Sequence, residues 1–182
     1  MLGTIGSLVA DSSETTGLKW QAVSSGGMTL IESGNLTGAS VTTGSIPNTY
    51  ENLQVLLKNA QPATDGAVVC IRFNSDTGTN YSLLRYTQEV NQNFGATFIQ
   101  ITEGIDNTAG NSFSVLNIPD YANTTTWKIL SNLTVAKSHD SGTYDWNPAT
   151  GIYNSTSAIS TITFFMNNGN LSAGTYEIWG IK

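Results

Sequence analysis

Short runs in which apolar and polar residues alternate follow one another along most of the chain. A period of two places every second side chain on one face, which is typical of strands buried on one side. No stretch keeps apolar residues at helical spacing over three turns. We therefore predict an all-β domain, in which the apolar positions of each run, Trp127 and Trp179 among them, pack in the core. In the clearest runs these positions are Leu53, Val55 and Leu57; Val69, Ile71 and Phe73; Ile99 and Ile101; Trp127, Ile129, Leu133 and Val135; Ile162, Phe164 and Met166; and Tyr176 and Ile178.

Polar turn residues separate these runs. Gly, Asn and Asp cluster between them, and these residues tolerate the positive φ angles that tight turns need. The spacing predicts roughly eight to ten strands, as in a sandwich or a barrel. A strand that buries one face needs a second layer to cover it, so we expect an antiparallel two-sheet β-sandwich. A jelly-roll order is our first choice of topology, and an immunoglobulin-like order is the alternative.

The N-terminal segment differs from the rest of the chain. Its apolar residues are scattered without a consistent period, so it cannot bury much surface alone. We predict that residues 1–22 form an attachment or linker segment and that residues 23–182 form the sandwich domain. The segment would be ordered by packing on copies of itself around a threefold axis; the alternative is a linker without fixed structure.

Composition narrows the classes of function. Only 11% of the residues are charged, the net charge is −6, and seven basic residues cannot build a phosphate-binding surface. We therefore expect no nucleic-acid binding. No apolar run approaches the ~20 residues of a membrane helix, and the first residues do not resemble a signal peptide. The lone cysteine, Cys70, excludes an intrachain disulfide, and its β-branched surroundings predict a buried thiol.

Several segments resemble phage tail and fibre proteins, and the likeness covers nearly the whole chain: residues 6–20, 45–53, 72–81, 118–124 and 172–182. Residues 6–20, GSLVADSSETTGLKW, resemble the junction that closes a repetitive shaft and opens a distal domain in such proteins. Residues 172–182, SAGTYEIWGIK, are similar to the end of the β-sandwich domain that follows the junction. The resemblance implies a virion component, usually a homotrimer, with a host-facing role. The shaft repeats that normally precede the junction are absent from this sequence.

Residues 138–153 form the longest predicted connection between two strands, and they are rich in aromatic and polar side chains. Sugars bind with their C–H face against a flat aromatic ring, while carboxylates and amides take the hydroxyls. Such chemistry is offered by Tyr144, Asp145, Trp146, Asn147 and Tyr153, which we predict to bind a glycan. The alternative is an extra hairpin with Trp146 tucked against the sandwich.

Other candidate chemistry is weaker. Oxygen-bearing residues surround Asp76 in residues 72–80, as a calcium loop would require, but an Asx-type turn explains them better. A glycosidase would need a carboxylate pair such as Asp120 with Asp140 or Asp145, and a triad would need His139, the only histidine. No nucleophile motif accompanies these residues. We therefore expect a protein that is not an enzyme and has no metal or cofactor.

These observations favour a fibre or tail adhesin module that binds a host surface glycan or receptor as a trimer. A purely structural virion part, such as a head-decorating, head-fibre or tail-assembly protein attached through its N-terminal segment, is the alternative. A third hypothesis, from the class of enzymes, is a tailspike domain that degrades polysaccharide.

Overall fold

A computed structural model describes residues 6–10, 18–22, 27–86, 90–108 and 112–182. Strands and turns account for all of the regular structure in these ranges, and no helix occurs in them. The predicted all-β, two-sheet architecture is therefore confirmed. The boundary predicted between residues 22 and 23 falls where the undescribed residues 23–26 begin, and residues 11–17 of the junction-like segment also lie outside the described ranges.

The larger sheet contains eight antiparallel strands. They are β3 (Met28–Asn35), β5 (Asn52–Pro62), β7 (Tyr81–Tyr86), β8 (Val90–Ala96), β10 (Ser112–Pro119), β11 (Lys128–Lys137), β12 (Tyr144–Tyr153) and β14 (Leu171–Ile181). Their order across the sheet is β3-β14-β5-β10-β11-β12-β7-β8.

The smaller sheet has four strands, β4 (Ser40–Thr42), β6 (Val69–Phe73), β9 (Ile99–Gln100) and β13 (Ile162–Met166). Their order is β4-β13-β6-β9. In the N-terminal part, β1 (Gly6–Ala10) pairs with β2 (Leu18–Ala22) as a separate two-stranded sheet.

Eight of the strands form two sets of four, one in each sheet. In the larger sheet β3, β14, β5 and β10 lie side by side in this order, and in the smaller sheet the order is β4, β13, β6 and β9. The β7–β8 and β11–β12 pairs extend the larger sheet beyond β10. This order supports the jelly roll, which stays a prediction.

Most of the predicted core positions are buried between the sheets. The apolar faces of β5, β6 and β13 are closed to solvent, and so are Tyr176 and Ile178 on β14. Cys70 is also fully buried, as predicted. At one end of the core, the rings of Tyr81 and Tyr153 stack with their centroids 5.0 Å apart.

Strand β11 reverses the predicted orientation. Its outward face carries Ile129, Leu133 and Val135, which are exposed, and Trp127 just before the strand is 59% exposed. The inward face instead carries Lys128, Leu130, Asn132, Thr134 and Ala136. The prediction that Trp127 packs in the core is therefore wrong, whereas Trp179 is half-buried.

A hydrogen-bond cluster between the two sheets explains this orientation. Ile101 follows β9 of the smaller sheet, and its carbonyl accepts a hydrogen bond from Asn132 Nδ2 at 2.7 Å. Thr134 Oγ1 donates to the same carbonyl at 3.1 Å and lies 2.7 Å from Ser114 Oγ on β10. Because a buried carbonyl without a donor is costly, these polar residues belong inside. A shift of one residue would turn the other face of β11 inward and leave the carbonyl unpaired.

We expect Asn132→Leu to lower the free energy of unfolding by about 1–3 kcal/mol, because it removes one donor to the buried Ile101 carbonyl while keeping a similar volume. Ser131→Ala, one position away on the exposed face, is the matched control and should change stability by less than ~0.5 kcal/mol. Urea unfolding of the two variants measures the difference. Equal stabilities would show that the cluster does not hold β11 in register.

Candidate binding face

The stretch predicted to be a long loop is mostly a strand. The connection after β11 is a tight turn, in which the Ser138 amide donates to the Thr143 carbonyl at 2.8 Å and Gly142 takes a φ of 65°. Strand β12 then pairs with β11 along its whole length and with β7 at its far end. The prediction of a long connection is wrong, because its last ten residues form strand β12 and only residues 138–143 connect this strand to β11.

This strand separates the five residues predicted to bind a glycan. Tyr144 and Trp146 lie two positions apart on the outer face, where they are 57% and 64% exposed. Asp145 and Asn147 occupy the alternate positions and so lie on the opposite face of the strand. Tyr153 is buried in the core, and its hydroxyl donates to Asp76 Oδ2 at 3.1 Å. The structure therefore brings Tyr144 and Trp146 together and places the other three elsewhere.

The outer face of the larger sheet carries a band of exposed apolar side chains around this pair. The register places Phe113, Val135 and Trp146 side by side across β10, β11 and β12. We call the following seven residues the apolar patch: Phe113, Trp127, Ile129, Leu133, Val135, Tyr144 and Trp146.

The apolar patch has two parts. The polar row of Asn117, Ser131 and Thr150 lies between Leu133 and Ile129, so Ile129 and Trp127 stand apart from the other five residues. The members are between 39% and 64% exposed. With roughly 150–250 Å² for each aromatic side chain and somewhat less for each aliphatic one, the two parts together expose on the order of 800 Å². A single contiguous apolar patch on a typical monomer covers about 300–600 Å². An area of ~800 Å² is what each partner buries in a standard protein–protein interface.

The same face becomes polar on the other side of β10. Continuing the row of Phe113 across β5, β14 and β3, the register gives Lys58, Thr175 and Asn35. Lys58 Nζ forms an ion pair with Glu177 Oε1 at 2.5 Å. The face is therefore divided between an apolar half and a polar half, and this ion pair lies in the polar half.

The sequence signal at the apolar patch is the alternation in β11, but periodicity alone assigns its more apolar face to the core. Both faces of β11 carry apolar residues, and the more apolar set is the one that lies outside. On the opposite face the polar residues Asn132 and Thr134 are buried, because both donate to the Ile101 carbonyl of the other sheet. This partner cannot be seen in the sequence.

Asp76 lies in the Asx-type turn predicted from the sequence. Its Oδ1 accepts the Gly78 amide at 2.7 Å, and its Oδ2 accepts Asn80 Nδ2 at 2.8 Å. The Asn80 side chain first, then the Gly78 amide and the Tyr153 hydroxyl, lower the pKa of the Asp76 carboxyl. Oδ1 thus closes the turn, and Oδ2 holds it to Tyr153, one of the stacked tyrosines.

His139 and the remaining acidic candidates lie near the β11–β12 turn or on other loops. The His139 ring packs between Gly66 and Gly104, and its Nε2 lies 2.9 Å from Asp140 Oδ1. In the described ranges, no group of three or more His, Cys, Asp or Glu side chains is arranged to hold a metal ion.

Comparisons with known proteins place the chain in no family: no family model matches it, and no curated protein matches it. Within the described ranges there is no helix of the length and apolar character needed to cross a membrane.

We expect stability to fall in acid partly through Asp76. The folded state holds this pKa below the unfolded value of about 3.9, so the contribution is present above about pH 4 and is lost as the pH falls through the folded-state pKa. Asp76→Asn should therefore lose less stability than the original chain between about pH 5 and pH 2.5. Tyr153→Phe, which removes one of the three donors, should lie between them. Urea unfolding across this range tests the order, and identical pH profiles for all three proteins would contradict it.

Proposed function

We propose that this chain is a non-enzymatic virion module of a bacteriophage, of the fibre or tail adhesin type, which assembles through its apolar patch with copies of itself. The resemblance of residues 6–20 and 172–182 to fibre proteins supports the virion assignment and the expectation of a homotrimer. The single observation that carries the assembly role is the apolar patch itself.

The chemistry of the apolar patch favours a protein partner. Aliphatic side chains such as Leu133 and Val135 offer no hydrogen bonds, and the polar side chains of Asp145 and Asn147 lie on the other face of β12. The seven side chains of the patch are uncharged, and Lys137, which the register places beside Tyr144, is paired with Asp106 at 2.8 Å. The interiors of protein interfaces are likewise poor in charge and rich in aromatic residues. A second copy of the chain carries the same uncharged surface and can bury it without stranding an ion.

A second candidate function is glycan binding at Tyr144 and Trp146, two of the five residues predicted from the sequence. The observation that favours it is the exposure of two aromatic rings on one face at the start of β12. In this case the patch would meet a host surface and not a neighbouring copy. The structural alternative, a head-decorating or tail-assembly part, uses the same patch with another virion protein.

Oligomeric state tests the proposal. We expect light scattering of the purified chain to give about three times the 19.4 kDa mass of one copy. Leu133→Asp places a charge in the middle of the patch and should shift the protein to monomers at micromolar concentration, because a buried unpaired charge opposes association.

The matched control is Ser40→Asp, which adds the same charge at an exposed position of β4 in the other sheet. It should keep the mass of the original chain. Circular dichroism should show the same strand content in all three proteins. A monomeric original chain, or an unchanged mass for Leu133→Asp, would overturn the assembly role.

A further inference from the structure

We propose that the polar half of the same sheet contains a second binding site, which takes an uncharged, polyhydroxylated ligand such as a saccharide of a few units. The site is an open cleft of about 580 Å³ between the ends of β3, β5 and β14. We call it the polar cleft and define it by Asn35, Thr37, Asn59, Gln61, Ser172 and Thr175. It lies on the same face as the apolar patch, beyond β10, and uses other side chains, so the inference goes beyond the assembly role.

The dimensions of the polar cleft suit a small polar ligand. Small-molecule sites in proteins usually measure roughly 300–1,000 Å³. A second depression of about 230 Å³ adjoins the cleft and shares Asn35 and Thr175 with it. The two depressions together are elongated along the β3–β14 edge, which provides room for more than one ring.

The backbone around the polar cleft is irregular in a specific way. Strand β14 shifts register twice against β5, between Leu171 and Ala173 and between Ala173 and Thr175. Gly174 has a φ of 114°, and a Cβ there would lie 2.7 Å from the Asn59 carbonyl oxygen, so only glycine fits. Bulges of this kind often occur beside functional sites, where they redirect side chains.

Asn59 is the second irregularity in the polar cleft. It has a φ of 53° in the middle of β5, in a left-handed region that non-glycine residues rarely occupy inside a strand. Such backbone strain tends to concentrate at binding sites. The conformation takes the exposed Asn59 amide out of the regular alternation of β5, into the cleft lining.

Four of the six side chains that define the polar cleft are available for a ligand. Gln61 and Ser172 are fixed by hydrogen bonds, from Gln61 Nε2 to the Asn107 carbonyl and from Ser172 Oγ to the Gln61 carbonyl. Asn35, Thr37, Asn59 and Thr175 make no side-chain hydrogen bond to another described residue. Amides and hydroxyls each donate and accept, which matches the hydroxyl groups of a sugar.

Charge in the polar cleft argues against an ionic ligand. Among the described residues that line it, Lys58 alone is charged, and Glu177 neutralises it at 2.5 Å. The chain as a whole carries a net charge of −6, which disfavours acidic partners. A neutral ligand with many hydroxyls therefore fits the cleft better than a phosphate or a carboxylate does.

Two variants remove protein groups that would bind the ligand and keep the fold. Asn59→Gly deletes the amide at a position where glycine relieves the backbone strain. Thr175→Val deletes a hydroxyl at constant shape on an exposed strand position. Ser75→Gly is the matched control, because Ser75 also has a positive φ, 54°, but lies in the turn after β6, outside the cleft.

The experiment is isothermal titration of the full chain with neutral oligosaccharides: N-acetylglucosamine, mannose, galactose and glucose tetramers, with a galacturonic acid tetramer as the charged comparison. We expect at least one neutral tetramer to bind, and its affinity to fall about tenfold or more in Asn59→Gly and in Thr175→Val. Ser75→Gly should bind like the original chain.

Three outcomes would overturn the proposal: no binding of any neutral tetramer, tighter binding of the acidic tetramer, or binding that Tyr144→Ala abolishes and Asn59→Gly leaves intact. Light scattering of Asn59→Gly and Thr175→Val separates this test from the test of assembly. Both variants should keep the mass of the original chain, so loss of saccharide binding can be told from loss of assembly.

Discussion

The hydrogen bonds that Asn132 and Thr134 direct at the Ile101 carbonyl determine which face of β11 is buried. This carbonyl lies just past the short strand β9, at the edge of the smaller sheet. Polar side chains from the opposite sheet meet it across the core. Since side chains alternate in a strand, that choice also decides the position of every other residue of β11.

The apolar patch is a direct consequence. With 132 and 134 held inside, Leu133 and Val135 must lie outside, beside Phe113 on β10 and Trp146 on β12. The orientation of β11 that gives the buried Ile101 carbonyl its hydrogen bonds thus leaves apolar side chains exposed on the outer surface. Burial of that surface against another copy would recover the hydrophobic free energy that the isolated domain leaves unused.

The two halves of the larger sheet differ in chemistry because they differ in regularity. Strands β10, β11 and β12 pair without a register shift and place Phe113, Val135 and Trp146 in one row. Strands β5 and β14 pair through two register shifts, and the backbone there bends into the polar cleft. A regular, uncharged surface suits a broad protein contact, whereas an irregular polar depression suits a compact ligand.

The sequence by itself determined the class of fold, the two-sheet arrangement and most of the core. In β5, β6 and β13 one face is clearly more apolar than the other, so the hydrophobic effect alone chooses the buried side, as for Leu53 or Phe164. Tertiary structure decided the rest. In β11 the more apolar face lies outside, because hydrogen bonds to a carbonyl on the other sheet settle the orientation. In β12, pairing with β11 and β7 sends Tyr153 into the core and Trp146 to the surface. Long-range hydrogen bonds of this kind leave no periodic trace in the sequence, because their partners lie about thirty residues apart.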